Sequence, residues 1–422
     1  MVKDFLGFLL YRIVLDICCA LLMTVYGRGV VPRADFEMIV LSYGLAMGMI
    51  ALAVTMRREQ ASFYTYLLLL SIVLPMTSLY CYMYPFHGYM GMLFVSFCVL
   101  WGTVFFPYRL RLPRLASQMK VQRLMRKMVL FSFLSLFLVV CIRYFLLYGM
   151  TMFNLSFAKV YEYRLPFREQ WGGIWGYLNS WVMSIILPTT TALFLARRKY
   201  FAVACMLSLH VFFFGLSSHK TVLFSGFFVV LLYCILSSSR ESWRRFPFFA
   251  FTGTLFIAIL LALSSNALVR PLKALSWRVF FTPSQMNFLF YDYFSEHGFA
   301  YFAHSFLRHF GAVSKYIPSP EFVIGEVYFG SPEMRANTGF LGSGYMEGGF
   351  VMVLVYSVIL GLMIRHFNKY AAGENRNAVF AVTAYPFLVL FTSVDLPTGI
   401  VTGGLWILII TLRFLFPRKL KA

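Results

Sequence analysis

Acidic side chains are scarce in this chain: 16 Asp and Glu stand against 37 Lys and Arg, and charged residues of both signs make up 13% of its 422 residues. Soluble domains carry about a quarter charged residues, so a water-solvated globular fold is excluded. Cysteine is sparse as well, with seven residues (18, 19, 81, 98, 141, 205 and 234), all within apolar runs and without metal-ligand spacing. They read as apolar filler, without disulfides or zinc. There is no HExxH pattern, and no DxD-type carboxylate pair that would hold a divalent cation.

What is present is apolar: 60% of residues are hydrophobic and 19% aromatic. Crossing ~30 Å of hydrocarbon takes roughly 20 mostly apolar residues. That ruler marks twelve segments, near 5–27, 36–56, 62–84, 87–106, 128–150, 176–196, 200–218, 221–239, 246–264, 340–364, 377–394 and 400–416. Long continuous runs fit helices, whereas a closed barrel would show short alternating strands. The expected fold class is therefore all-α and polytopic, a single membrane domain over 1–422. The first segment is too long for a signal-peptide core and lacks a small-residue cleavage site, so it is expected to stay as an anchor.

Basic residues in short loops stay on the cytoplasmic side. Arg57-Arg58, the stretch from Arg109 to Lys127, Arg197-Arg198-Lys199, Arg240 to Arg245, Arg365 to Arg376 and the tail Arg418 to Lys421 all fall on one face if there are twelve spans. Both termini join them, which makes that face the cytoplasm. Most of the +21 net charge is then a topology signal and a match to anionic lipid, not a nucleic-acid footprint.

On the opposite face two segments are more than turns, 151–175 and 266–338. A transporter of twelve spans usually shows symmetric loops and internal repeats, whereas here one late loop dominates. That asymmetry points to an enzyme working at the outer surface. In the first segment, Arg164 or Arg168 can hold a phosphate, or pair with Glu162 or Glu169. Between the seventh and eighth spans, Ser217-Ser218-His219-Lys220 is the only interruption, which places Lys220 at the outer interface as a phosphate contact or a snorkelling cap.

The long segment opens with Arg270, Lys273 and Arg278, with no acid before Asp292. Pro271 and Pro283 bracket Leu272–Thr282, read as a short amphipathic helix with Arg278 on its polar side, able to lie along the bilayer near a lipid head group. His297, His304 and His309 follow; the last two stand five apart, which is no zinc spacing on a helix. Gly344 and Gly348 are spaced for close helix packing. Glu347 reads as an acid one turn inside the tenth span, a functional candidate by its burial in lipid. Arg12 and Asp16, four apart in the first span, neutralise each other in this reading, and Arg143 snorkels outward.

Taken in order, Val160-Tyr161-Glu162-Tyr163-Arg164, Ser218-His219-Lys220, Arg278-Val279-Phe280-Phe281, Tyr291-Asp292-Tyr293-Phe294, His304-Ser305 and Ala336-Asn337-Thr338-Gly339-Phe340-Leu341-Gly342-Ser343-Gly344-Tyr345 resemble the Wzy-type O-antigen polymerases of bacteria. The similarity covers about residues 155–365 and lies in motif order and topology. It implies a glycosyltransferase at the periplasmic face of the inner membrane. The donor would be a glycan on undecaprenyl diphosphate and the acceptor a lipid-linked repeat unit. Undecaprenyl diphosphate would leave.

On that resemblance Arg164, Lys220, Arg270 and Arg278 would stabilise the diphosphate, which makes a metal or other cofactor unnecessary. Asp292, His304 and Glu347 would supply the base or orient the acceptor hydroxyl. Tyr161, Tyr291 and Tyr345 would contact sugar rings, with Asn337 in the same substrate-binding set. A chain-length regulator (a polysaccharide co-polymerase) is the partner it implies. Two other classes share much of this description: an O-antigen ligase, and a non-enzymatic lipid-linked oligosaccharide flippase, whose charges would line a cavity within the spans.

Overall fold

In the computed structural model, residues 2–27, 36–55, 62–82, 89–104, 119–148, 153–156, 159, 171–238, 242–305, 310–371 and 375–416 are described. Among them the ordered elements are all helical: α1 Val2–Tyr26, α2 Phe36–Thr55, α3 Ser62–Tyr80, α4 Tyr89–Val104, α5 Met119–Tyr148, α6 Ile174–Ala196, α7 Tyr200–Ser217, α8 Lys220–Ser237, α9 Ser242–Leu263, α10 Arg270–Phe280, α11 Thr282–His297, α12 Pro320–Phe329, α13 Phe340–Tyr370, α14 Arg376–Thr392, α15 Leu396–Ile400 and α16 Leu405–Leu415. Nine of the described helices are long and apolar enough to cross a membrane, and three shorter apolar stretches, Gly91–Thr103, Arg376–Thr392 and Leu405–Leu415, occupy the other expected segments.

The chain forms two compact units. One comprises Met1–Leu110, Arg244–Arg365 and Phe387–Leu396; the other comprises Arg111–Trp243, His366–Pro386 and Pro397–Ala422. At the centre of the first lies α3, every residue of which is buried. Its middle widens into a π-turn at Leu69–Val73, just before Pro75. Proline has no N–H to give the preceding turn and crowds its carbonyls, which favours the wider turn. The Leu70 carbonyl, five residues before Pro75, accepts instead from Tyr11 Oη of α1 at 3.2 Å. In the second unit α6 repeats the device, with a π-turn at Val182–Ile186 before Pro188.

Buried polar contacts pin these helices together. Arg12 is fully buried and ion-paired with Asp16, as the four-residue spacing suggests. Its guanidinium also donates to Ser42 Oγ (2.7 Å), Thr77 Oγ1 (3.0 Å) and the Thr77 carbonyl (2.9 Å). Tyr43 and Ser78 hydroxyls donate to the Asp16 carboxylate at 2.6 and 2.5 Å. One charge pair thereby ties α1, α2 and α3. In the second unit the Arg143 guanidinium lies over the Trp175 ring, 4.9 Å from the centroid. His210 of α7 is buried in a notch left by Gly226 of α8, where a Cβ would meet the imidazole at 2.3 Å, and its Nδ1 contacts the Val222 carbonyl at 2.8 Å.

The segment 266–338 is more than a polar outside loop. Within α11, Ser284 through Phe290 and Phe294 are buried, and Ser284 Oγ donates to the Ile72 carbonyl of α3 at 3.1 Å. The segment's polar average hides this apolar run, which helps form the core of the first unit.

Removing one partner of a buried ion pair typically costs about 3–5 kcal/mol, because it leaves a charge uncompensated. Arg12→Leu is expected to lower the thermal unfolding temperature in detergent sharply, and Arg12→Leu with Asp16→Leu to recover most of the loss. Equal losses in both proteins would show that an uncompensated Asp16 charge is not what destabilises Arg12→Leu.

Candidate functional site

The tenth expected span is broken. Gly348 is extended and Gly349 takes φ 65°, a left-handed conformation that side chains disfavour. A Cβ on Gly349 would also approach the Phe299 ring to 2.8 Å. The chain turns sharply enough to bring Gly344 against Val353 and Tyr356, which sit nine and twelve residues on. Residues 350–370 then run on as a helix of about 31 Å at 1.5 Å per residue, long enough to cross alone. Glu347 is therefore not one turn inside a continuous span. It sits at the turn that precedes one, because two consecutive glycines end the first helical stretch.

This turn is held from the side by residues 298–305. The Ala300 N–H donates to the Met346 carbonyl at 2.8 Å, and the Phe302 N–H donates to Glu347 Oε2. Tyr301 and Phe302 both adopt positive φ, 50° and 59°. Such residues cost of order 1–3 kcal/mol each and persist where surrounding structure over-determines them. Here they aim a backbone N–H at a carboxylate that is 1% exposed. The other carboxylate oxygen, Oε1, has no hydrogen-bond partner among the described residues and lies 3.7 Å from His304 Nε2. That spacing is too long for a hydrogen bond. Burial lowers the His304 pKa, an effect partly offset by Glu321, so its imidazole is neutral near pH 7.

Around this pair the expected residues take different roles. Tyr345 is 5% exposed, its ring enclosed by Tyr291, Phe350 and Phe299 at centroid distances of 4.7, 5.2 and 5.7 Å. Its faces are thus occupied by protein, whereas Tyr291 is only half-buried. Asp292 accepts a 2.5 Å hydrogen bond from Tyr328 of α12, and burial together with this carboxylate pushes the Tyr328 pKa up. Asn337 is exposed, its N–H on the Arg335 carbonyl at 3.1 Å. Arg335 in turn pairs with Glu321 at 3.1 Å. Burial would raise the Glu321 pKa, but its own backbone, Ser319 and Arg335 together hold it low.

Asn287 does not stand out in sequence, yet it organises this region. Fully buried on α11, its Oδ1 accepts from Thr338 Oγ1 (3.0 Å) and the Gly342 N–H (2.9 Å), fastening the start of α13. Only the tertiary packing of α11 reveals it.

The basic candidates are not gathered here. Arg270 and Arg278 are exposed on α10, and among the described residues neither has an ionic partner. Lys220 is the exposed first residue of α8 and belongs to the second unit. Tyr161, Arg164 and Arg168, with Glu162 and Glu169, lie outside the described residues, as does His309.

No protein-family model, curated protein or solved structure matches the chain. A buried carboxylate with one satisfied and one unpartnered oxygen, beside a neutral imidazole, has the chemistry to accept a proton from a hydroxyl that reaches it.

The lowered His304 pKa has a sign that can be checked. The folded state binds fewer protons than the unfolded one, whose histidine titrates near ~6.5. Stability should be unaffected by His304 at alkaline pH, fall as pH drops through that unfolded value, and level off below the folded one. Thermal unfolding between about pH 8 and pH 5 should show this decline, reduced in His304→Gln; an identical slope in the variant would refute the assignment.

Proposed function

We propose that the chain is a Wzy-type polymerase. It joins undecaprenyl-diphosphate-linked repeat units at the periplasmic face of the bacterial inner membrane. The observation that carries this reading is the convergence on one turn of three separate motifs of the resemblance. His304 lies beside the Glu347 carboxylate, and Tyr291, next to Asp292, packs on Tyr345 two residues before Glu347. In this reading the nine long helices and three shorter apolar ones make twelve spans, with both termini cytoplasmic.

In the reaction the non-reducing sugar of an incoming lipid-linked repeat supplies a hydroxyl. Glu347, assisted by His304, takes its proton as the oxygen bonds to the anomeric carbon of the donor glycan. The bond from that carbon to the diphosphate oxygen breaks, and undecaprenyl diphosphate leaves carrying the electron pair. Asp292, held by Tyr328, orients the acceptor, and Tyr291 offers a ring face to a sugar. Guanidinium groups suit a phosphate leaving group, being permanently charged and weakly hydrated. The reading gives Arg270 and Arg278 that role, and assigns Lys220 and Arg164 to substrate phosphate on the resemblance alone. It needs no metal, and its implied protein partner is a chain-length regulator.

A flippase is the second reading, and one observation favours it: Arg12 and Asp16 form a buried charged cluster within the spans. Their mutual neutralisation and hydrogen bonds fit a structural pin better than a substrate path.

Loss of a general base typically costs 10²–10⁴-fold in rate, roughly. Cells carrying Glu347→Gln should accumulate single lipid-linked repeats that face outward, seen by mass spectrometry of the undecaprenyl-linked pool and by glycosidase access in spheroplasts. Arg278→Lys should shorten or deplete polymer at normal expression. Long chains left on the lipid would indicate a ligase, and single repeats trapped inside would indicate a flippase.

A further inference from the structure

Helix α10 presents three distinct faces. Ser276, Trp277 and Phe280 are buried, with Trp277 against Gly27 at the end of α1. Leu272, Leu275 and Val279 are 46%, 54% and 48% exposed, and Leu268, just before the helix, is 85% exposed. Their spacings of four, three and four place them in one stripe. Arg270 and Arg278 are exposed on the remaining side, and no acidic residue lies on the helix.

The depth of α10 is set by two helices that can each cross a membrane. Tyr26, the last residue of α1, donates its hydroxyl to the Arg270 carbonyl at 3.0 Å. Lys273 Nζ donates to the carbonyls of Ala262 and Ser264 at 3.0 and 2.7 Å, at the C-terminal end of α9. Those are carbonyls that a helix end leaves without partners. The C-termini of both spanning helices therefore meet α10, which puts it where hydrocarbon gives way to head groups. At that level an exposed leucine stripe faces acyl chains, and the cation beside it faces phosphates.

We propose that α10 is an interfacial helix that docks an anionic membrane lipid, its chain along Leu268, Leu272, Leu275 and Val279 and its phosphate on Arg278. Arg278 follows Leu275 by three residues and adjoins Val279, so it borders the stripe. Arg270 lies about 12 Å away along the axis and is not part of this contact. This docking goes beyond the polymerase reading, in which the same Arg278 meets a lipid-linked diphosphate, itself an anionic lipid phosphate.

The test uses the full chain with a benzophenone amino acid at Leu275, and in a second protein at Val279. Each is reconstituted in vesicles of equal parts phosphatidylcholine and phosphatidylglycerol, irradiated and weighed intact. Lipid adducts are expected with both probes, enriched about fivefold in phosphatidylglycerol, the effect of one basic residue near a bilayer surface. Arg278→Gln should bring the two lipids to parity. Absence of lipid adducts from both probes would overturn the interfacial placement. Adducts without phosphatidylglycerol enrichment, or enrichment untouched by Arg278→Gln, would overturn the phosphate contact.

Discussion

A carboxylate in apolar surroundings must be given donors, and a helix broken among other helices must have its freed carbonyls met by protein. Both demands fall on one turn in this chain. Gly348 and Gly349 end the first stretch of α13, releasing the Met346 carbonyl and exposing the Glu347 side chain to its neighbours. Residues 298–305 answer with two backbone N–H groups, one to each. The left-handed Tyr301 and Phe302 are the conformational cost of delivering the second. With Oε2 satisfied this way, Oε1 is left facing His304.

The same logic recurs away from the site. Prolines in α3 and α6 follow π-turns, and in α3 a tyrosine hydroxyl reaches a carbonyl of the widened turn. Asn287 uses one amide oxygen to hold both the Thr338 side chain and the Gly342 backbone. Arg12 and Asp16 are surrounded by hydroxyls of two other helices. Between helices in lipid, apolar packing gains little relative to lipid itself, so polar contacts of this kind help specify which faces meet.

Much of the helical framework was legible because span length and apolarity are properties of single segments. The α7–α8 hairpin around Ser217–Lys220 and the pairing of Arg12 with Asp16 follow directly from spacing along one stretch of chain. Glu347 was visible as an acid among apolar residues, but its position at a turn was not. The sequence Glu347-Gly348-Gly349 is compatible with close helix packing and with a break alike, and only the neighbouring 298–305 segment decides. Asn287, Tyr328 and the buried face of α11 were hidden for the same reason: their partners lie far away in sequence. The Trp175 ring that meets Arg143 lies on another helix and was hidden in the same way.

In the proposed function the turn at Glu347 catalyses glycosyl transfer between two lipid-linked glycans. Its most direct test is reconstitution of the purified chain in liposomes with lipid-linked repeat units from its own host as the sole glycan, followed by mass spectrometry of products. Longer lipid-linked chains are expected in step with released undecaprenyl diphosphate, one for each new linkage, and neither product from the Glu347→Gln protein. Unchanged single repeats with the unsubstituted chain, or chain growth that persists in Glu347→Gln, would contradict it.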